Sequence, residues 1–371
     1  MSSDRTQTIN DFLAHTGWGD AVRVPLTGDA STRRYIRLGQ NGTSALLMDQ
    51  PPGAEAPVAR SNATPEERKA LGYNAVARLA GADCARFVAA ANYLRSLGLS
   101  APEIYADDAA QGLVLMEDLG ADLFVDSLAK GVDEKLLYEG AAEVLAKLHA
   151  ADAPRVLPEG KDLHPYDETA LLAEVELLTE WFFPVALGRE ASEAEVSEFL
   201  GLWRKTLLPL LAAPGVFVHR DYHAQNLMWM PERRGAARVG LIDFQDAVAG
   251  SPAYDMISLI EDARRDVPAE IGQLTINHYA KAMTDQGTPV DEESFALASA
   301  VFAAQRNTKI AGIFARLCVR DGKPRYLAYL PRVWSYLTAD LDHPALAPLK
   351  SWYDRAIPPG ARGVPGAWSI T

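Results

Sequence analysis

Val218-His219-Arg220-Asp221-Tyr222-His223-Ala224-Gln225-Asn226-Leu227, followed by Leu241-Ile242-Asp243-Phe244, is the stretch on which the reading of this chain turns. It places the carboxylate of Asp221 shortly before the amide of Asn226 and adds a second carboxylate, Asp243, downstream. Phosphoryl transfer from a magnesium nucleotide needs such groups: a carboxylate able to accept a hydroxyl proton, and oxygen ligands for a hard divalent cation. With 7 histidines, ordinary Asp and Asn frequencies give a chance His-x-Asp-x4-Asn in roughly one or two of a hundred such chains.

Around this core the chain reads as an ordinary soluble globular protein. Its 371 residues suffice for two or three structural units, and it is 48% hydrophobic and 23% charged. A formal net charge of -13 opposes non-specific binding to nucleic acid or an anionic membrane. Cys84 and Cys318 are the only cysteines, which excludes a disulfide scaffold or a cysteine zinc site and fits a reducing compartment. Met1-Ser2-Ser3-Asp4-Arg5 lacks an apolar signal core and no run approaches membrane-spanning length, so a cytoplasmic location is expected. The oligomeric state is left open, a monomer being compatible with the sequence.

The first ~120 residues read as strand-rich with turns. Val22 to Leu26 is an expected strand, and Tyr35 to Leu38 and Ala45 to Met48 flank Gly39-Gln40-Asn41-Gly42 as an expected hairpin. Residues 51 to 64, rich in Pro, Ala and Gly, read as a loop, and helical patterning runs from Pro65 to about Leu97 in two pieces. Leu113 to Met116 reads as a short buried strand leading to Glu117-Asp118-Leu119-Gly120. Helices dominate thereafter. Leu227 to Met230 and Arg238 to Ile242 pair as a second hairpin, which brings Asn226 and Asp243 to the same end of one rigid element.

The 219–255 block resembles the aminoglycoside phosphotransferase and choline kinase superfamily, with its protein-kinase-like fold. Within it, Leu26 to Ser31, Met48 to Pro52, Glu117 to Gly120, Tyr254-Asp255 through Asp262 to Val267, and Arg316-Leu317 through Tyr326-Leu327 resemble bacterial kinases that phosphorylate N-acetylmuramate and N-acetylglucosamine at the anomeric hydroxyl in cell-wall sugar recycling. The resemblance implies an α+β, bilobal architecture. Residues 1–118 would form a small antiparallel-sheet lobe that binds nucleotide, and residues 119–371 a larger, mostly helical lobe for catalysis and the acceptor. It implies ATP and Mg2+ as cofactors. Asp221 would be the catalytic base or orienting group, and Asn226 and Asp243 would hold the metal. Gly28, Ser31, Arg33, Arg34, Glu117 and Leu119 would contact nucleotide. Asp255 would brace the catalytic loop, with His219 packing inside it. His223, Glu261, Asp262, Arg265, Arg306 and Lys309 are the expected acceptor residues.

One departure stands out. Relatives place a phosphate-binding Lys on the third strand; here that strand reads Leu46-Leu47-Met48-Asp49, and the helix around Cys84 to Leu97 has no Glu to pair with a Lys. Arg33, Arg34 or Arg37 would have to supply the cation, since guanidinium matches phosphate oxygens. The short separation of Asp243 from Asp255 leaves no room for a long activation segment, which points to a small-molecule acceptor. Arg306, Lys309, Arg316, Arg320, Lys323 and Arg325 face only Asp321 in sequence, an excess that suits a carboxylated acceptor or nucleotide phosphates better than a polycation. Two alternatives stay open: a kinase of an amine-containing acceptor such as an aminoglycoside or a choline-like compound, and a nucleotide-binding pseudokinase.

Overall fold

Asn41 and Gly42 both adopt positive φ (52° and 77°), the backbone that a two-residue hairpin turn demands. They join strands β2 (Arg34–Gln40) and β3 (Thr43–Asp49), paired from Gln40↔Thr43 to Arg34↔Asp49. With β1 (Val22–Pro25), β4 (Ile104–Asp108) and β5 (Leu113–Glu117) they form one antiparallel sheet of order β1-β2-β3-β5-β4. The computed structural model describes residues 3–26, 33–53, 59–60, 63–78, 83–213 and 215–363. Gly28 and Ser31 lie outside the described residues, as do 54–58 and 61–62 of the expected loop. Elements are numbered along the chain.

Side-chain alternation decides what each face of this sheet does. Ile36, Leu38, Ala45, Leu47, Leu113 and Leu115 form a buried core with Ile9 and Leu13 of helix α1 (Ser3–His15). The strand-rich reading of this region lacked α1, because its apolar stripe is short and diluted by polar residues. Tyr35, Arg37, Leu46 and Met116 fall on the opposite face and line a pocket. The expected two-piece helical stretch is α2 (Pro65–Leu71), a π-helical turn at Asn74–Arg78, and α3 (Cys84–Ser96). Helices α4 (Phe124–Ala129) and α5 (Glu134–His149) and a minimal ribbon, β6 (Val156–Leu157) with β7 (Lys161–Asp162), follow.

The chain divides into two compact units. The first comprises Met1–Leu148, Pro154–His164 and Ala224–Ala247; the second comprises His149–Ala153, Pro165–His223 and Val248–Thr371. The first unit holds α4, α5 and residues 224–247 together with the sheet.

The second unit is helical. It holds α6 (Glu168–Leu177), α7 (Phe183–Leu187), α8 (Glu193–Leu207), α9 (Ala253–Ile260), α10 (Ala269–Asp285), α11 (Glu292–Val319), α12 (Leu330–Asp340) and α13 (Ala347–Ala356). Helix α11 is its axis and packs on α6, α9 and α12. At Gly312 a Cβ would lie 2.5 Å from the Leu177 backbone, so only glycine permits this approach of α11 to the end of α6. An aromatic cluster of Phe199, Trp203, Trp352 and Tyr353 joins α8 and α13. Strand β8 (Val216–Val218), which leads into the 219–226 loop, pairs antiparallel with β11 (Val248–Gly250). Among the described residues no helix is long and apolar enough to cross a membrane.

Candidate active site

In the first unit, β9 (Leu227–Trp229) and β10 (Val239–Leu241) form the expected hairpin, with Trp229↔Val239 and Leu227↔Leu241 in register. The Ile242 N–H donates to the Asn226 carbonyl at 3.2 Å, which ties Asn226 to the strand end that carries Asp243. Both side chains line a cavity of about 670 Å3 together with Leu26, Tyr35, Arg37, Leu46, Phe87, Met116, Glu117, Leu119, Met228 and Ile242. An apolar slot with two hard oxygen donors at one place is what a purine nucleotide with its metal needs. Magnesium is commonly held by one or two protein carboxylates plus substrate phosphates, so this donor set fits it.

Asp243 is set by strain and by neighbours. Its φ is 63°, a left-handed conformation uncommon outside glycine but tolerated by Asp. The next ring, Phe244, stacks on Phe87 of α3 with centroids 4.9 Å apart. Gln245 Nε2 donates to Asp243 Oδ1 at 3.1 Å, and Arg33 Nη2 lies 3.2 Å from the same oxygen.

The three candidate cations therefore separate. Arg33 is buried and paired with Asp243, Arg34 is exposed, and Arg37 is committed through Nε and Nη2 to Asp118 and through Nη2 to the Gly120 carbonyl. At the expected lysine position Met48 is fully buried between Tyr35 and Val114, and α3 presents a buried arginine, Arg86, instead of a glutamate. Glu117 carries an ion pair from Arg233 at 2.6 Å, and its backbone N–H donates to the Glu103 carbonyl.

Asp221 belongs to the second unit, where the loop that carries it is heavily braced. Arg220 has φ 74°, a conformation costing on the order of 1–3 kcal/mol for a non-glycine residue. Asp255, the third residue of α9, accepts from the His219 N–H at 2.6 Å and from the Arg220 N–H at 2.9 Å. Burial pushes the Asp255 carboxyl up to about 7, against those two N–H donors, which favour its charge. His219 is fully buried, edge-on to Tyr222, as a packing residue.

The Arg220 guanidinium reaches Glu174 of α6 at 2.7 Å and lies over the Tyr166 ring. Glu174 also pairs with Lys309 at 2.7 Å, accepts from Gln305 at 3.0 Å, and accepts from the Tyr166 hydroxyl. Burial raises this carboxyl, but Lys309 and Arg220 outweigh it and hold the pKa below its ordinary value. Sequence reasoning missed Glu174; its only signal is a lone acid in the apolar run Leu171-Leu172-Ala173-Glu174-Val175.

Asp221 itself is half-buried. Burial raises its pKa, yet the charges of Lys309 and Arg220 prevail and bring it down to about 2. It is ionised at neutral pH and a weak base. Such a group orients a hydroxyl by accepting its hydrogen bond and takes the proton late, as a loose phosphoryl transition state allows.

The expected acceptor residues share this unit with Asp221. The His223 N–H donates to the Asp221 carbonyl at 3.1 Å, and Arg264 Nη1 sits 3.3 Å from His223 Nε2. Guanidinium only donates, so Nε2 is the accepting nitrogen and the imidazole is neutral with its proton on Nδ1. Burial and the Arg264 charge lower the His223 pKa to about 4, in keeping with that tautomer. Asp262 is buried; its Oδ1 accepts from the Arg264 N–H, and Oδ2 has no partner among the described residues. Glu261 accepts from Asn307 at 2.7 Å and hydrogen-bonds Asp340, so its carboxyl is engaged within the protein. Burial raises the pKa of both of these acids, and the nearby Glu261 charge adds to the rise at Asp340. Lys309 is likewise committed, to Glu174. Arg306 is buried and donates from Nη1 to the Glu261 carbonyl at 3.3 Å, while Arg265 is half-buried. Asn307 and Asp340 were not expected from sequence, since nothing near them marks a site.

The chain is 43% identical over 361 residues (96% of this chain, 98% of the relative) to an N-acetylmuramate/N-acetylglucosamine kinase of Caulobacter vibrioides. It is 34% identical over 364 residues (94% and 96%) to an N-acetylmuramate/N-acetylglucosamine kinase of Pseudomonas aeruginosa. A choline kinase from Streptococcus pneumoniae shares the fold, with a TM-score of 0.56 at 16% identity, covering 90% of this chain and 100% of that one. The profile of the phosphotransferase enzyme family, named APH, matches residues 22–290. The chain therefore belongs to the APH phosphotransferase enzyme family, with an α+β kinase-like fold.

Proposed function

We propose that this protein is an ATP-dependent, magnesium-dependent kinase of N-acetylmuramate and N-acetylglucosamine, acting at the anomeric hydroxyl. The observation that carries the reading is the 43% identity to a kinase of that name across 96% of the chain. The presence together of Asp221, Asn226, Asp243 and Asp255 supports it. In this reading the apolar pocket of the first unit takes the adenine, near Glu117 and Leu119. Asn226 and Asp243 hold the metal, which when bound neutralises phosphate charge in the transition state. Arg33 serves the phosphates in place of the absent strand lysine, and Gly28 and Ser31 contribute to their loop. In the second unit Asp221 accepts the hydrogen bond of the acceptor hydroxyl and aligns it for attack. His223, Asp262, Arg265 and Arg306 contact the sugar, with Glu261 and Lys309 acting through the polar network around it. The enzyme works on small molecules in the cytoplasm.

The test is ADP release with magnesium ATP over a panel of N-acetylmuramate, N-acetylglucosamine, other hexoses, choline and aminoglycosides. Turnover with the two N-acetylated sugars and none with the amines is expected. Turnover confined to amines would replace this reading with an amine-acceptor kinase, and nucleotide binding with no turnover would indicate a pseudokinase.

A further inference from the structure

We propose that Arg306 reads the carboxylate of the acceptor and sets the preference for N-acetylmuramate over N-acetylglucosamine, an inference that rests on the kinase reading above. Arg306 lies in the buried middle of α11 with 5% of its surface exposed. Its hydrogen bond is to a neutral carbonyl, that of Glu261, and among the described residues no carboxylate lies within ion-pair distance of it. A nearly buried guanidinium with no carboxylate in ion-pair contact is unusual, because arginine is seldom fully buried unless paired. Its charge acts on Asp255 and Glu261 only through space.

The acids around it are otherwise engaged. Asp255 uses both oxygens on the His219 and Arg220 N–H groups, and Glu261 is bound to Asn307 and Asp340. The neighbouring cations are committed too: Lys309 and Arg220 share Glu174, and Arg264 donates to His223. Arg306 is also close enough to the catalytic loop for its charge to depress the His223 imidazole. It is thus a cation awaiting an anion beside the residues that would hold the sugar. The two candidate sugars differ in one respect: N-acetylmuramate carries a lactyl carboxylate that N-acetylglucosamine lacks. Guanidinium is the side chain best shaped to hold such a group through two parallel hydrogen bonds.

The experiment is steady-state kinetics of wild type, Arg306→Gln and Arg306→Lys with both sugars, each preparation serving as its own folding control. A lost charge-assisted contact corresponds to a factor of about 10 to 100 in affinity. In Arg306→Gln the ratio of kcat/KM for N-acetylmuramate to that for N-acetylglucosamine should fall by about that factor, mainly through KM for N-acetylmuramate. Arg306→Lys should fall between, keeping charge but losing the fork. Because the ratio is taken within one preparation, partial misfolding cannot mimic the result. A parallel loss for both sugars, with the ratio unchanged, would show that Arg306 only caps α9 and would overturn the proposal while leaving the kinase reading intact. A wild-type enzyme that turns over neither sugar would refute the kinase reading and this role with it.

Discussion

The loop around Asp221 and the pocket around Asp243 are held in different ways. Asp221 sits in a lattice of charges: Asp255 fixes the backbone before it, and Glu174 fixes Arg220 and Lys309 from another helix. Asp243 sits at the end of a hairpin, against an apolar wall and a stacked Phe87–Phe244 pair, with one arginine on its carboxylate. The first arrangement spends buried charge on holding a weakly basic carboxylate in one position, as a group that works by orientation requires. The second leaves its carboxylate substantially exposed, at 41%, and held by partners that a metal nucleotide can exchange.

Four substitutions test this contrast. Asp221→Asn should lower kcat by about 10³-fold or more while nucleotide affinity changes little, because only the orienting charge is lost. Equal losses in binding and turnover would erase the distinction between the two regions. Glu174→Ala leaves Arg220 and Lys309 buried without their shared partner, and a stability loss of about 3–5 kcal/mol is expected from urea unfolding. Arg33→Ala should weaken magnesium-nucleotide binding by about tenfold in calorimetry with little change in melting temperature. If Arg34→Ala rather than Arg33→Ala did so, the assignment of the replacement cation would be wrong.

The smallest effect is a pH dependence in the second unit. Burial lowers His149 to about 3, and its ring contacts the Tyr279 hydroxyl at 3.0 Å. Its native form prefers to be neutral, so the unfolded chain binds more protons between about pH 6.5 and pH 3. The histidine's contribution is therefore complete above that window and is lost as pH falls through it. Wild type should lose stability relative to His149→Gln across this range by a few kcal/mol at most. A difference that stays flat with pH would mean that His149 is not buried neutral.

Much of this site was legible in sequence because the chemistry is local. Asp221, Asn226, Asp243 and Asp255 lie within one short stretch, and their residue types are those that metal binding and backbone bracing require. The paired strands around Asn41-Gly42 were legible for the same reason, since the turn is written in two adjacent residues. What escaped depends on distant contacts. Glu174 is one acid in an apolar helix until tertiary folding brings it to Arg220 and Lys309. The basic run after Arg306 could not be divided by sequence into Lys309, which is paired, Arg320, which holds its neighbour Asp321, and Arg306, which faces no carboxylate among the described residues. Helix α1 was missed because packing, rather than intrinsic pattern, stabilises so short an amphipathic segment.

The most direct test of the kinase reading is phosphorus NMR of the product formed from N-acetylmuramate, magnesium ATP and the purified protein. Phosphate attached at the anomeric carbon, seen as coupling between phosphorus and the anomeric proton, is the expected result. No phosphorylated sugar, or phosphate on another hydroxyl, would contradict it.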